Sequence, residues 1–415
     1  MKNIILSHPT GNANSRNAAK AFAESQILDS FYTTISVFEG SVLDKISRIK
    51  YLAELKKRYF ESVLKPYTKS MPSYEIVRLL SQKFGFTYFI DHDKGKFCID
   101  QIYKKLDERI ADSLFNHKIK GVTGIYAYEN GAYHSFRRAK ELGLKCYYEL
   151  PSVHWRKVHD LLKPQYEKHT QWRNTLNVFN DTGEKRMRKD EELLMADKII
   201  VPSSFMLKTL SAFPKSNLIT KTKLIPYGFP EVSASVLNRE VKKDKRIRLL
   251  FVGNLSLQKG IINLFEAVKG FEKFIELTLV GAMPLKRCLV LENELQNHNY
   301  LGTLSNPDVL KIMRKNDVLV FPTLADSFGL VISEAMSQGL PVLTTERSAG
   351  PDFIESGVNG WLFEAGNTED LKYKIEYLIS KPGVINEASL KAIETAKNRP
   401  WSVYRKELVE TIRVD

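Results

Sequence analysis

At 415 residues the chain is too long for one ordinary hydrophobic core, and its apolar content of 43% is that of a globular protein, so two domains are expected. Three scattered cysteines, Cys98, Cys146 and Cys288, show neither a disulfide framework nor metal-ligand spacing, which fits a reducing cytoplasm. Lysine and arginine number 62 against 48 acids, and the net charge of +14 favours an anionic partner: nucleic acid, an anionic membrane or a phosphorylated substrate.

Residues 2–7 read as a first strand, ended by Ser7-His8-Pro9 too early for a signal peptide. No later apolar run approaches membrane-spanning length. The loop from His8 to Ser15 contains Gly11 and Asn12 and opens onto a helix beginning near Arg16 or Asn17, with Asn14 or Ser15 as its cap. From Leu43 to Leu64, apolar Leu43, Ile46, Ile49, Ala53, Phe60 and Leu64 recur near helical spacing among basic residues from Lys45 to Arg58. A long basic amphipathic helix is predicted there. Such a helix suits an anionic membrane, and it equally suits a buried stripe with a solvated charged face. No nucleic-acid-binding module accompanies the charge, so a nucleic-acid partner is not expected. Asp91-His92-Asp93, followed by Gly95, reads as a turn, and no metal site is expected.

Strands at 124–129 and 145–150, separated by a helix that stops at Gly143, predict a doubly wound parallel sheet. Strand ends carry the functional loops of such sheets, which makes Glu129, Glu149 and His154 candidates for a cleft. Residues 191–203 read as a helix running into a strand, and the polar stretch from Glu231 to Lys245 as the domain junction. A second domain opens with a strand at 249–253. The loop Asn254–Gly260 follows, where Lys259, at a loop–helix junction, can neutralise a diphosphate.

The most informative stretch is Val318 to Thr345. A buried strand ending at Pro322 leads into the loop Asp326-Ser327-Phe328-Gly329. A helix from Gly329 or Leu330 to Gly339 and another strand complete the unit. The unpaired amides and dipole of the helix N-terminus suit a phosphate, and Gly329 lets backbone approach it. Asp326 and Glu334 repel phosphate but accept hydrogen bonds from sugar hydroxyls. Together these features have the shape of a nucleotide-sugar site.

Asp326-Ser327-Phe328-Gly329-Leu330-Val331-Ile332-Ser333-Glu334-Ala335 resembles the acid–seven residues–acid signature of retaining glycosyltransferases of family 4, of the glycosyl transferases group 1 type. The family usually has glutamate where this chain has Asp326. Asn254–Gly260 resembles the family's Gly-Arg…Lys-Gly segment, with Lys259 matching its lysine and Asn254 replacing its arginine. Glu129 stands where many members carry a histidine, and His154 lies further on. The resemblance implies a GT-B fold, α/β, with two Rossmann-like doubly wound domains facing a cleft. The spans expected are 1–230 for the acceptor domain, 231–246 for the linker, 247–395 for the donor domain and 396–415 for a helix crossing back. It implies donor binding by Gly253, Asn254, Lys259, Asp326, Ser327, Phe328, Gly329, Leu330 and Glu334, and acceptor binding by Gly11, Asn12 and Glu129. Asp326, Glu334, Lys259 and His154 are the catalytic candidates. The implied reaction moves a sugar with retention from a nucleoside-diphosphate-sugar, the substrate rather than a cofactor, to a hydroxyl of a glycan or lipid-linked acceptor in polysaccharide synthesis, at the inner face of the membrane. An epimerase of the same fold, and a non-catalytic nucleotide-sugar or membrane-binding relative, are the alternatives.

Overall fold

The computed structural model describes residues 3–47, 55, 57–211, 213, 217–232 and 246–414. Among these residues the strands form two parallel sheets. The first contains β1 (Ile4–Ser7), β2 (Leu28–Thr33), β3 (Thr68–Ser70), β4 (Gly124–Tyr128), β5 (Lys145–Glu149), β6 (Lys198–Val201) and β7 (Thr222–Leu224). Their order across the sheet is β3-β2-β1-β4-β5-β6-β7. The second contains β8 (Ile247–Val252), β9 (Ile275–Val280), β10 (Asn299–Tyr300), β11 (Val318–Phe321), β12 (Val342–Thr345) and β13 (Gly360–Phe363), in the order β10-β9-β8-β11-β12-β13.

Both central strands are continuous apolar runs because helices cover both faces of a parallel sheet. Ile4, Ile5 and Leu6 of β1 and Val318, Leu319 and Val320 of β11 are fully buried. In both sheets the strand order reverses beside the first strand, and ligands of open α/β sheets bind at that crevice, beyond the carboxyl ends. The doubly wound α/β architecture expected from the sequence is therefore present in both halves.

Two segments differ from the expectation. The first helix starts at Ala13, not near Arg16, because Asn12 caps it: its Oδ1 accepts from the Ser15 amide at 2.9 Å. The predicted helix over 43–64 is not continuous. A helix spans Val42–Ser47, and residues 48–54 and 56 lie outside the described part. Tyr59 then pairs with Val37 in a parallel bridge, and a 3₁₀ helix spans Ser62–Tyr67. The Arg58 carbonyl and Phe60 amide bond to Val37, each at 2.9 Å, rather than to helical neighbours. Burial of Phe60 against Phe31 and Phe38 holds that pairing.

Two chain crossings join the sheets side by side. The Phe229 amide donates to the Arg399 carbonyl at 2.8 Å on the return path. The last helix, Trp401–Val414, packs on the first helix, Ala13–Glu24, where Arg405 bonds Asn17 at 2.8 Å and Arg413 bonds the Ser25 carbonyl at 3.0 Å. Elsewhere the domains meet through Trp172 on Phe265 and through the Leu257 amide, which donates to Thr175 Oγ1 at 3.0 Å. Among the described residues no helix is long and apolar enough to cross a membrane.

Candidate active site in the interdomain cleft

The loop after β11 and the loop after β8 are built against each other. Gly260, at φ 68°, lies so close to β11 that a Cβ there would sit 1.8 Å from the Pro322 carbonyl oxygen. The Leu324 amide donates to the Gln258 carbonyl, and Gln258 Nε2 to the Ala325 carbonyl, each at 2.9 Å. This brings the Lys259 ammonium onto Asp326 Oδ2. The other carboxylate oxygen, Oδ1, accepts from the amides of Phe328 at 3.1 Å and Gly329 at 2.8 Å. Asp326 thus braces the turn that leads into the helix Leu330–Ser337, whose N-cap is Gly329, and the Phe328 and Gly329 amides are held by this carboxylate. Gly329 has φ 74°, and a Cβ there would stand 2.8 Å from the Phe321 ring, so the turn requires glycine.

Lys259, Asp326 and Ser327 line a cavity of about 350 Å³ whose opposite wall comes from the first domain. That wall includes Glu129, Ser152, Trp155 and Lys189. Glu129 is buried. Its Oε2 accepts from Ser152 Oγ at 2.6 Å, and Lys189 Nζ lies 3.8 Å from Oε1. Burial would lower the Lys189 pKa, but Glu129 and Asp181 outweigh it and raise it. The first-domain side of the cleft therefore presents a firmly held cation facing Lys259 across the cavity. The sequence signal for it was a lysine pair, Lys185 and Lys189, one turn apart on the helix Gly183–Met195.

The other candidates are placed elsewhere. Glu334, in the second turn of its helix, is half-buried and outside the cavity lining; Asn306 Nδ2 donates to its Oε1 at 2.7 Å. Burial pushes its carboxyl up to about 6, with the Asn306 hydrogen bond opposing. Phe328 is buried against Tyr227 and Phe353 and serves packing. Ser327 ties the domains together: its hydroxyl donates to the Pro151 carbonyl, and its own carbonyl accepts from Ser203 Oγ. Gly253 and the exposed Asn254 form the turn after β8, and Leu330 opens the helix; none of the three lines the cavity.

His154 is buried at the start of the helix Trp155–Lys168, its ring 5.3 Å from that of Phe213 and its Nε2 3.3 Å from Asp190 Oδ1. It does not line the cavity. Burial would raise the Asp190 pKa, but His154, Arg156 and Trp155 hold it down at about 2. Glu149, a cleft candidate from its strand-end position, is fully buried away from the cavity. It accepts from Asn14 at 2.6 Å, Tyr126 at 2.5 Å, Tyr227 at 2.7 Å and Tyr404 at 3.2 Å. It pins the first helix, the crossing segment and the last helix to one sheet.

In the first loop the Gly11 amide donates to His8 Nδ1 at 2.9 Å, and Asn12 is spent on its cap. Neither residue lines the cavity. His8 is kept neutral, its pKa lowered to about 3 by burial and by Arg58 and Arg16. Asp91–Lys94 is a turn. Ligand atoms of His92, Asp93 and Asp100 lie within 4.8 Å of one another. A cation already stands among these acids: Lys185 Nζ is 3.2 Å from Asp93, 2.9 Å from Asp100 and 2.9 Å from Asp181.

Residues 235–399 match the family described as Glycosyl transferases group 1. An uncharacterized glycosyltransferase of Methanocaldococcus jannaschii is 33% identical over 153 residues, 37% of this chain and 44% of that protein. The capsular polysaccharide biosynthesis glycosyltransferase CapM of Staphylococcus aureus is 27% identical over 220 residues, 47% of this chain and 55% of that one. The chain thus spans about half the length of these curated relatives. The structure of Anabaena HepE in complex with UDP-glucose is similar in fold, with TM-score 0.62 at 15% identity over 100% of both chains. The second half of this chain therefore carries a glycosyl transferases group 1 domain, within a GT-B arrangement of two facing Rossmann-like domains.

Proposed function

We propose that the protein is a retaining glycosyltransferase that moves a sugar from a nucleoside-diphosphate-sugar to a hydroxyl of a glycan or lipid-linked acceptor in polysaccharide synthesis. The observation that carries this reading is the Lys259–Asp326 pair, which opens from the nucleotide-side domain into a cavity walled by the other domain. Charge builds on the diphosphate as the glycosidic bond breaks. Lys259 and the start of the helix Leu330–Ser337 meet that charge once the donor binds, an electrostatic effect that asks for no metal. On donor binding Lys259 turns from Asp326 to phosphate, and Asp326 accepts from donor-sugar hydroxyls. Glu334, with Asn306 beside it, accepts from the ribose hydroxyls. Glu129, fixed by Ser152 and Lys189 on the opposite wall, faces the acceptor. His154 acts at a distance, through Asp190, whose Oδ1 lies 3.3 Å from its Nε2. The UDP-glucose complex of HepE and the polysaccharide role of CapM support a nucleotide-sugar donor and a glycan product.

The test is a metal-free thermal-shift panel of UDP, GDP, ADP and their sugars. A bound ligand raises the folded state's stability with the logarithm of its occupancy. Stabilisation by one nucleotide family is expected; no shift from any of them would overturn the donor assignment.

A further inference from the structure

The helix Ser73–Phe84 packs Leu79 on the core and Tyr74 on Phe97 but leaves a second apolar stripe uncovered. It buries Glu75, at 0% exposure, against Arg58 at 2.6 Å and Arg78 at 2.8 Å. Toward solvent it presents Ile76, Leu80 and Phe84 at four-residue spacing, with Phe84 63% exposed. The chain then continues through Phe86, 57% exposed, and Tyr88, 85% exposed. A soluble surface rarely spends its apolar side chains this way without something to cover them. The described residues around the patch are basic. Lys83, Lys94 and Lys96 are exposed, and Lys83 Nζ lies 5.9 Å over the Phe84 ring. Asp91 is the exposed acid among them.

We propose that this stripe and the turn after it form a docking surface for an anionic lipid bilayer. Phenylalanine and tyrosine insert at the headgroup level, lysines beside them meet lipid phosphates, and a bilayer needs no matching shape. The net charge of +14 favours the same partner. A few residues past the patch, His92 lines the interdomain cavity, so docking would hold the cleft mouth at the membrane surface. The surface differs from the basic stretch at 43–64 that suggested a membrane in the sequence, and its test does not depend on glycosyl transfer.

The experiment is co-sedimentation of the full chain with vesicles of phosphatidylcholine and phosphatidylglycerol in equal parts, against phosphatidylcholine alone. Wild type should bind the anionic vesicles and lose binding as salt rises. The variant F84S/F86S/Y88S and the variant K83E/K94E/K96E should each reduce partition by about tenfold or more, with circular dichroism and melting unchanged. Should the aromatic variant not fold, Tyr88→Trp decides: its emission should shift to the blue with anionic vesicles and stay fixed with neutral ones. No binding by wild type, or undiminished binding by the aromatic variant, overturns the proposal. So does a wild-type dimer that this variant dissolves with no vesicle binding, which would assign the patch to a second copy.

Discussion

Replacing Lys259 by methionine keeps the side chain's length and removes its charge. The ammonium pairs with Asp326, and the two side chains are 20% and 13% exposed. The variant leaves Asp326 Oδ2 without a cation, while Oδ1 keeps the amides of Phe328 and Gly329. Removing one partner of a fully buried pair costs ~3–5 kcal/mol. The retained amide bonds and the open cavity reduce this to roughly 1–2 kcal/mol of stability here. Donor binding should suffer separately. A hydrogen bond to a charged group contributes ~1.5–3 kcal/mol, and each ~1.4 kcal/mol is a factor of ten. Nucleotide-sugar affinity should therefore fall roughly tenfold to a hundredfold, and Lys259→Arg should recover part of it. Isothermal titration with the nucleotide-sugar found in the panel, beside urea unfolding, separates the two effects. Full affinity in a folded Lys259→Met protein would show that Lys259 serves the loop and not the phosphate.

Glu334 predicts a pH dependence. Its folded carboxyl titrates near 6 against an ordinary 4.5, so the fold favours the protonated form. Stability from this group is full below the ordinary value, is lost as pH rises through that window, and amounts to about 1 kcal/mol once screening at this half-buried site is discounted. Donor binding runs the other way. The ionised carboxylate is the better acceptor, so affinity should weaken as pH falls through about 6, and Glu334→Gln should flatten the profile. Glu149→Ala should destabilise by more than about 3 kcal/mol in urea unfolding, because Asn14 and three tyrosines lose their common acceptor in a dry site. A loss under about 1 kcal/mol would mean that these groups find water or each other. Gly260→Ala forces both a left-handed Cβ and an overlap with the Pro322 carbonyl; a cost of roughly 2 kcal/mol or more and weakened nucleotide binding are expected. Wild-type binding in that variant would refute the view that the glycine sets the Lys259 loop.

Much of the fold was legible because it rests on local pattern. Val318–Phe321 is an apolar run that a parallel sheet alone buries on both faces, and Gly339 and Pro341 mark the end of the helix that follows. The helix over 43–64 failed for a matching reason: spacing alone cannot reveal that Arg58 and Phe60 find a backbone partner in Val37. The candidate site was legible in part. Lys259 and Asp326 were found separately by residue type and position, and Glu129 by its place at the end of a strand.

By itself, the sequence determined most of the strands and helices, though not the segment 43–64, together with where glycine must turn the chain and which residue types could meet phosphate and sugar. These depend on period, capping and charge, all carried by neighbours along the chain. Only the tertiary structure decided which of them meet. It set Lys259 on Asp326, 67 positions away, and turned Glu149 inward to Tyr404, 255 positions away. It left His154 beside Asp190 and out of the cavity, brought Lys189 to the opposite wall, and turned Ile76, Leu80 and Phe84 outward. The physical reason is that burial and long-range pairing are set by which faces two packed sheets present to each other, and local sequence does not encode that choice.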